Sequence, residues 1–266
     1  MRISNLKKLE AKDLIVFDLD GTLTKTKSAL DREMSLLITR LLMSKKVAVI
    51  GGGKYAIFQE QFLRHLKTPK FFFKDLSLFP TTSTAYYRYH NGWKKVYALT
   101  LTKSQKQRIR KAFQEGLREV GYRHPKKVYG KVLEDRRTQM TFSAIGQDVV
   151  AILGKKKGVA MKEAWLRKNK DLKMKIAKAV QRRLPDLEVR AAGFTSIDVT
   201  KKGIDKAYGI HQIQKHLQVP IKKMLFIGDA IFPGGNDYAI VKTGVDYIPV
   251  AGPEETKKII RRLIQK

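Results

Sequence analysis

The sequence predicts an α/β protein whose parallel-sheet core is interrupted by an α+β insert. Two observations predict the core. Short apolar runs ending in carboxylates stand far apart in the chain, DLIVF at 13–17 and MLFIGD at 224–229. Such runs suit strands buried on both faces. Segments with helical spacing alternate with them, as in Met34, Leu37, Ile38, Leu41 and Leu42 within 31–46. The third observation is a change of texture. The β-α-β rhythm fades near residue 85 and returns near 192.

The elements follow in order. VAVIGGG at 47–53 reads as a second strand running into a glycine turn, and FFF at 71–73 as a third strand. WKKVYALTLT at 93–102 is a strand of mixed polarity. The next helix carries Ile109, Phe113 and Leu117 on one stripe, with Ser104 as N-cap, Gln107 three residues on and Gly121 as its stop. Residues 127–133 and 138–145 read as half-buried strands. A helix over about 170–184 places Leu172, Ile176, Val180 and Leu184 together. TSIDVT at 195–200 then resumes the core as a strand. GIDKAYGIHQIQKHL is a helix, DYIPVA at 246–251 a strand, and PEETKKIIRRLIQ a closing helix. The division is a core of 1–85 plus 192–266, with the insert at 86–191.

Composition narrows the function classes. With 43% hydrophobic and 30% charged residues, the chain is globular. No apolar run approaches the length that spans a bilayer. The basic start is followed by too short an apolar stretch for a signal peptide, so a cytoplasmic protein is expected. The absence of cysteine excludes disulfides, thiolate zinc sites and cysteine nucleophiles. The formal charge of +31 suits attraction to polyanions or steering of a phosphorylated substrate. The basic residues are scattered rather than interleaved with aromatics, so nucleic acid is not the favoured partner. The five histidines have no useful metal-ligand spacing, and Phe71–Phe73 reads as core.

The chemistry concentrates in Asp18-Leu19-Asp20-Gly21-Thr22. Two carboxylates two residues apart sit at the tip of a buried strand, where ligands bind in open α/β sheets. Such acids repel unless a cation lies between them. A hard dication with oxygen ligands answers that need, and Mg²⁺ is the natural one. A second cluster, Gly228-Asp229 followed by Pro233-Gly234-Gly235-Asn236-Asp237, also follows an apolar strand. Lys206 opens a helix and offers an ammonium to a phosphate or an aspartate.

In this order, these elements resemble the haloacid dehalogenase superfamily of phosphotransferases, which implies a Rossmann-like parallel-sheet core with an inserted α+β cap. The resemblance further implies that Asp18 attacks phosphorus and becomes an aspartyl-phosphate, while Asp20 moves the proton to and from the transferring oxygen. Mg²⁺ would be held by Asp18, the Asp20 backbone carbonyl and Asp229. Lys206 would neutralise phosphoryl charge, with Asn236 and Asp237 orienting that shell. Thr22 and the amides of Gly52 and Gly53 would hold phosphate oxygens. Gly51-Gly52-Gly53 stands where the family presents a Ser or Thr.

FPGGNDYAI, VAGPEETKKII and the segment 134–147 resemble the phosphomannomutase-like branch, subclass IIB. A mutase must hold a sugar bisphosphate, and arginines suit its distal phosphate. Arg136 keeps one such arginine. Gln147 and Tyr129 stand where others are expected, with Arg137, Lys131 or Lys155 as substitutes. The expectation is therefore a sugar-phosphate phosphatase. The alternative is a phosphohexomutase interconverting hexose 1- and 6-phosphates. A basic nucleic-acid-binding protein on the same fold is the third reading.

Overall fold

The computed structural model describes residues 11–265, so the basic start at 1–10, including most of the stretch weighed against a signal peptide, lies outside the described residues. In chain order the strands are β1 (Leu14–Asp18), β2 (Lys46–Ile50), β3 (Leu76–Phe79), β4 (Ala85–Tyr89), β5 (Trp93–Ala98), β6 (Leu133–Asp135), β7 (Met140–Ser143), β8 (Leu187–Ala192), β9 (Ser196–Lys201), β10 (Met224–Gly228) and β11 (Asp246–Pro249). The longer helices are α1 (Arg32–Leu42), α2 (Lys103–Glu119), α3 (Lys155–Arg183), α4 (Lys206–Leu217) and α5 (Pro253–Ile264). The chain forms two compact units, Met1–Ala98 with Ile204–Lys266, and Leu99–Gly203.

The first unit holds a seven-stranded sheet in the order β11-β10-β1-β2-β3-β4-β5. Strands β11, β10, β1, β2 and β3 run parallel, and β4 pairs antiparallel with both β3 and β5. Burial on both faces explains the unbroken apolar runs. Ile15 and Phe17 of β1 join the core beneath α1 and α5, while Leu14 and Val16 join the opposite core, with Ile210 and Ile213 of α4. Asp18 is in register with Ile50 of β2, and Phe17 with Ile227 of β10. The carboxyl tips of β1, β2 and β10 are thus level.

The second unit is a four-stranded antiparallel sheet, β6-β7-β9-β8. One face carries Met140, Phe142, Ile197 and Val199, packed on Ile109 and Phe113 of α2 and Ile176 and Val180 of α3. Cross-strand partners Glu134, Thr141, Asp198 and Arg190 make the other face polar. The mixed alternation seen in the sequence is therefore a one-sided sheet.

Several expectations shift. The FFF run is not a strand: Lys70–Asp75 is a 3₁₀ turn, and β3 follows it. Three bulky rings in a row cannot all face one core, and Phe71 is left 66% exposed, outside the core assigned to it. The strand expected at 127–133 is confined to Leu133–Asp135. TSIDVT belongs to β9 of the small sheet rather than to the large one, because its polar residues need an open face. Residues 86–98, grouped with the insert, supply β4 and β5 of the large sheet. The α2 cap is Thr102 with Gln105, not Ser104 with Gln107. Thr102 takes the extended conformation, its side chain accepts from the Gln105 amide, and Gln105 returns the bond. Helix α3 starts earlier than 170, at Lys155, with non-helical backbone at Asn169, whose side chain bonds the Trp165 carbonyl. Among the described residues, no helix is long and apolar enough to cross a membrane.

Candidate functional site

The site is built at the tips of β1 and β10. Past β1 the chain turns at once: Thr24 N–H and Leu23 N–H both reach back to the Leu19 carbonyl, and Gly21 N–H bonds the Thr24 carbonyl. This tight turn needs Gly21, whose φ is +89°. A Cβ there would also collide with the Asp229 carboxylate, so the glycine lets the β1 turn close on the β10 acid. Thr22 is buried, and its hydroxyl donates to Asp229 Oδ1 at 3.3 Å.

The loop after β10 folds back on itself. Gly235 N–H bonds the Phe232 carbonyl, and Asp237 N–H bonds that of Ala230. Asp237 is thereby returned to the strand tip, where its Oδ2 accepts from Ala230 N–H at 3.2 Å. Lys206 arrives from the opposite direction. Asp205 caps α4 by accepting from Tyr208 N–H at 2.8 Å, which sets Lys206 as the first helical residue.

The result is a buried ion cluster. Lys206 Nζ donates to both Asp18 and Asp237, and all three side chains are nearly inaccessible. Carboxylate oxygens of Asp18, Asp229 and Asp237 lie within 4.8 Å of one another. Three acids thus face one ammonium. Burial pushes the Asp18 carboxyl above its ordinary value; Lys206 opposes the rise, while Asp237 and Asp229 add to it. Asp229 is raised by burial and by Asp237. Burial pulls Lys206 down, but Asp18 and Asp237 outweigh it and hold the ammonium charged. One cation among three crowded carboxylates leaves a negative excess. That donor set of hard oxygens fits a divalent cation such as Mg²⁺.

The other sequence-derived residues divide. Asp20 lies beside the cluster but outside it; its half-buried side chain accepts from Lys27 N–H at 2.7 Å. Gly52 and Gly53 follow β2. Gly52 is exposed, and a Cβ on it would meet nothing within 4 Å. Asn236 is exposed on the loop between Asp229 and Asp237. Asp237 was expected only to orient the others; it contacts Lys206 directly.

In the second unit, Arg136 and Gln147 come together. Arg136 Nε donates to Glu134 at 2.8 Å, and its NH2 group reaches Gln147 Oε1 at 3.5 Å. Gln147 in turn donates to the Thr141 carbonyl at 2.9 Å. Arg137 is exposed, with φ +71° and its N–H on Asp135. Sequence reasoning missed Asp198 on the same polar face. Its Oδ1 is buried with no hydrogen-bond partner among the described residues, and burial raises its carboxyl despite Arg136 and the Thr141 and Gln139 side chains. Alternation within TSIDVT places this acid opposite the apolar face, which was the signal available.

Comparison with known proteins gives a consistent result. The haloacid dehalogenase-like hydrolase family matches residues 15–243. A phosphomannomutase of Encephalitozoon cuniculi is 25% identical, covering 97% of this chain and 95% of that protein. The phosphomannomutase of Saccharomyces cerevisiae is 25% identical, covering 96% of each. Among solved structures, an IMP-bound, N-terminally truncated IMP-nucleotidase of Plasmodium falciparum superposes with a TM-score of 0.68 at 16% identity, over 98% of this chain and 71% of that one. A trehalose-6-phosphate phosphatase of Aspergillus fumigatus does so with a TM-score of 0.57 at 15% identity, over 98% and 96%. The solved structures share the fold. The chain belongs to the haloacid dehalogenase-like hydrolases.

Proposed function

We propose that this haloacid dehalogenase-like hydrolase is a Mg²⁺-dependent phosphatase of sugar phosphates or similar small phosphomonoesters. The observation that carries the reading is the cluster of Asp18, Asp229 and Asp237 around Lys206 at the carboxyl edge of the sheet. Asp18, Asp229 and the Asp20 carbonyl would hold the cation, which supplies charge neutralisation for the phosphoryl oxygens when bound. The Asp18 carboxylate attacks phosphorus. The ester P–O bond breaks as the Asp18 O–P bond forms. Asp20, kept outside the ion cluster, gives its proton to the departing alcohol oxygen. It then takes a proton from the water that attacks phosphorus, releasing inorganic phosphate and restoring Asp18. Lys206 holds Asp18 in line and offsets phosphoryl charge.

Phosphohexomutase activity is the second reading, supported by relatives named phosphomannomutase that match nearly the whole chain. A mutase needs a second phosphate clamp. Arg136, the arginine kept at the position expected for it, is already paired with Glu134, which favours the phosphatase. Incubation with mannose 1-phosphate, a hexose bisphosphate and Mg²⁺ separates the two. Free mannose and phosphate support the phosphatase. Mannose 6-phosphate establishes the mutase instead, and no conversion of any phosphomonoester rejects both.

A further inference from the structure

Just past β3, three consecutive residues adopt left-handed backbone: Thr81 at φ +50°, Thr82 at +52° and Ser83 at +64°. None is glycine. This region is costly for any residue with a Cβ, and most costly for β-branched ones. Glycine at 81–83 would relieve the strain, so the side chains are held there against the backbone's preference.

The turn is fixed to its neighbours. Thr81 N–H bonds the Gly53 carbonyl at 2.8 Å, and Thr82 N–H bonds that of Gly51 at 2.9 Å. Tyr97 Oη donates to the Ser83 carbonyl at 2.8 Å. The hydroxyls of Thr81 and Thr84 bond each other at 2.6 Å. Two hydroxyls remain. Ser83 Oγ is buried without a partner, pressed against Gly209 in the first turn of α4, where any Cβ would strike it. Thr82 is half-buried, and none of the hydrogen bonds among the described residues involves its hydroxyl.

The bond from Thr82 N–H to the Gly51 carbonyl sets its backbone beside the Gly51–Gly52 peptide, and Gly52 is exposed. Gly51 N–H is taken by the Phe79 carbonyl, which leaves the amides of Gly52 and Gly53 for an anion, and the three glycines have no side-chain donor of their own. Asp18, Ile50 and Phe79 are in register across β1, β2 and β3, so the glycine turn lies between Asp18 and the hydroxyl turn. Two strand spacings put Phe79 roughly 10 Å from Asp18 along the sheet edge, and Thr82 follows it by three residues. A phosphoryl group seated on Asp18 and one hydrogen bond bridge that gap.

We propose that Thr82 is a substrate-binding residue whose hydroxyl donates to an oxygen of the phosphomonoester beside the Gly52 and Gly53 amides, and that the left-handed turn at 81–83 is strained in order to present it. The inference rests on the phosphotransfer reading of Asp18. A turn serving only the fold would gain from glycine. A turn serving ligand would gain stability and lose binding.

The test compares wild type with Thr82→Val, Thr82→Ser and Thr82→Gly in the presence of Mg²⁺. The readouts are inorganic phosphate binding by calorimetry, kcat/KM for p-nitrophenyl phosphate, and the thermal midpoint. A hydrogen bond to a charged oxygen predicts a loss of about tenfold or more in phosphate affinity and in kcat/KM for Val and Gly. Thr82→Ser keeps both, and Thr82→Gly raises the thermal midpoint. If wild type and Thr82→Val bind phosphate equally, the role of Thr82 is overturned while the Asp18 site stands. A loss confined to variants with a lowered thermal midpoint also overturns it. If wild type neither binds phosphate nor turns over ester, the functional reading and this inference fall together.

Discussion

The two units both bring ionised groups together on a sheet, and they balance them differently. At the tips of β1 and β10, Asp18, Asp229 and Asp237 share one ammonium. On the polar face of the small sheet, Glu134 and Glu188 each pair with an arginine, Arg136 and Arg190. Asp198 sits within the influence of Arg136 and Lys173. The second arrangement is nearly self-neutral. The first has more carboxylates than cations among the described residues, and hard oxygen ligands that suit a small divalent cation. Unbalanced charge marks the place where an outside partner completes the site.

The largest test of that contrast is Asp18→Asn. Phosphate release should fall by at least about a thousandfold, because the amide removes the proposed nucleophile. Circular dichroism should show the fold retained. Turnover close to wild type would remove Asp18 from the chemistry.

Lys206→Met comes next. It leaves two buried carboxylates, Asp18 and Asp237, without their ammonium, and breaking such a pair costs about 3–5 kcal/mol. Urea unfolding in EDTA should show a loss on that scale, with added Mg²⁺ recovering part of it. Equal stability with and without Mg²⁺ in this variant would mean that the acids do not bind the cation.

A smaller effect is expected from Asp198→Asn. The carboxyl is already raised by burial, and its Oδ1 has no partner, so the neutral isostere relieves desolvation. Unfolding free energy should stay level or rise by about 1 kcal/mol. A loss as large as that of Lys206→Met would make the two regions electrostatically alike.

The smallest effect is a slope with pH. Lys173 Nζ donates to the carbonyls of Ala192 and Gly193, both at 2.5 Å, in the β8–β9 turn. Burial lowers its ammonium to about 8, with Asp198 opposing. The unfolded chain therefore holds this proton between about pH 8 and the ordinary lysine value near 10.4, where the folded chain has released it. Stability should rise with pH across that window, and the destabilisation should be complete below it. Thermal midpoints of Lys173→Met should show a flatter dependence over the same range.

The acidic edge of the large sheet was largely legible because its signals are local. An apolar run that ends in Asp, at Phe17-Asp18 and at Gly228-Asp229, is both a buried strand and a strand tip, and ligands gather at such tips. Lys206 was visible as the opening of a helix whose cap, Asp205, precedes it. Asp237 was visible as a residue but not as a contact. Its place on Lys206 depends on the return of the 229–237 loop, which is set by backbone bonds at Ala230 and Gly235. Phe71 shows the converse. Hydropathy alone assigned it to the core, yet a 3₁₀ turn gives three adjacent rings three directions.

What the sequence by itself determined was therefore the α/β class, the two carboxylate-tipped strands, and the presence of Asp18, Asp229 and Lys206 at their edge, since each follows from patterning over a few residues. Only the tertiary structure decided which sheet Ser196–Lys201 joined, that Asp237 completed the acid cluster, and that Thr81–Ser83 took left-handed backbone beside Gly51–Gly53. Strand alternation specifies a face but not a neighbour. Backbone strain, likewise, persists only where distant carbonyls and packing hold the chain against its own preference.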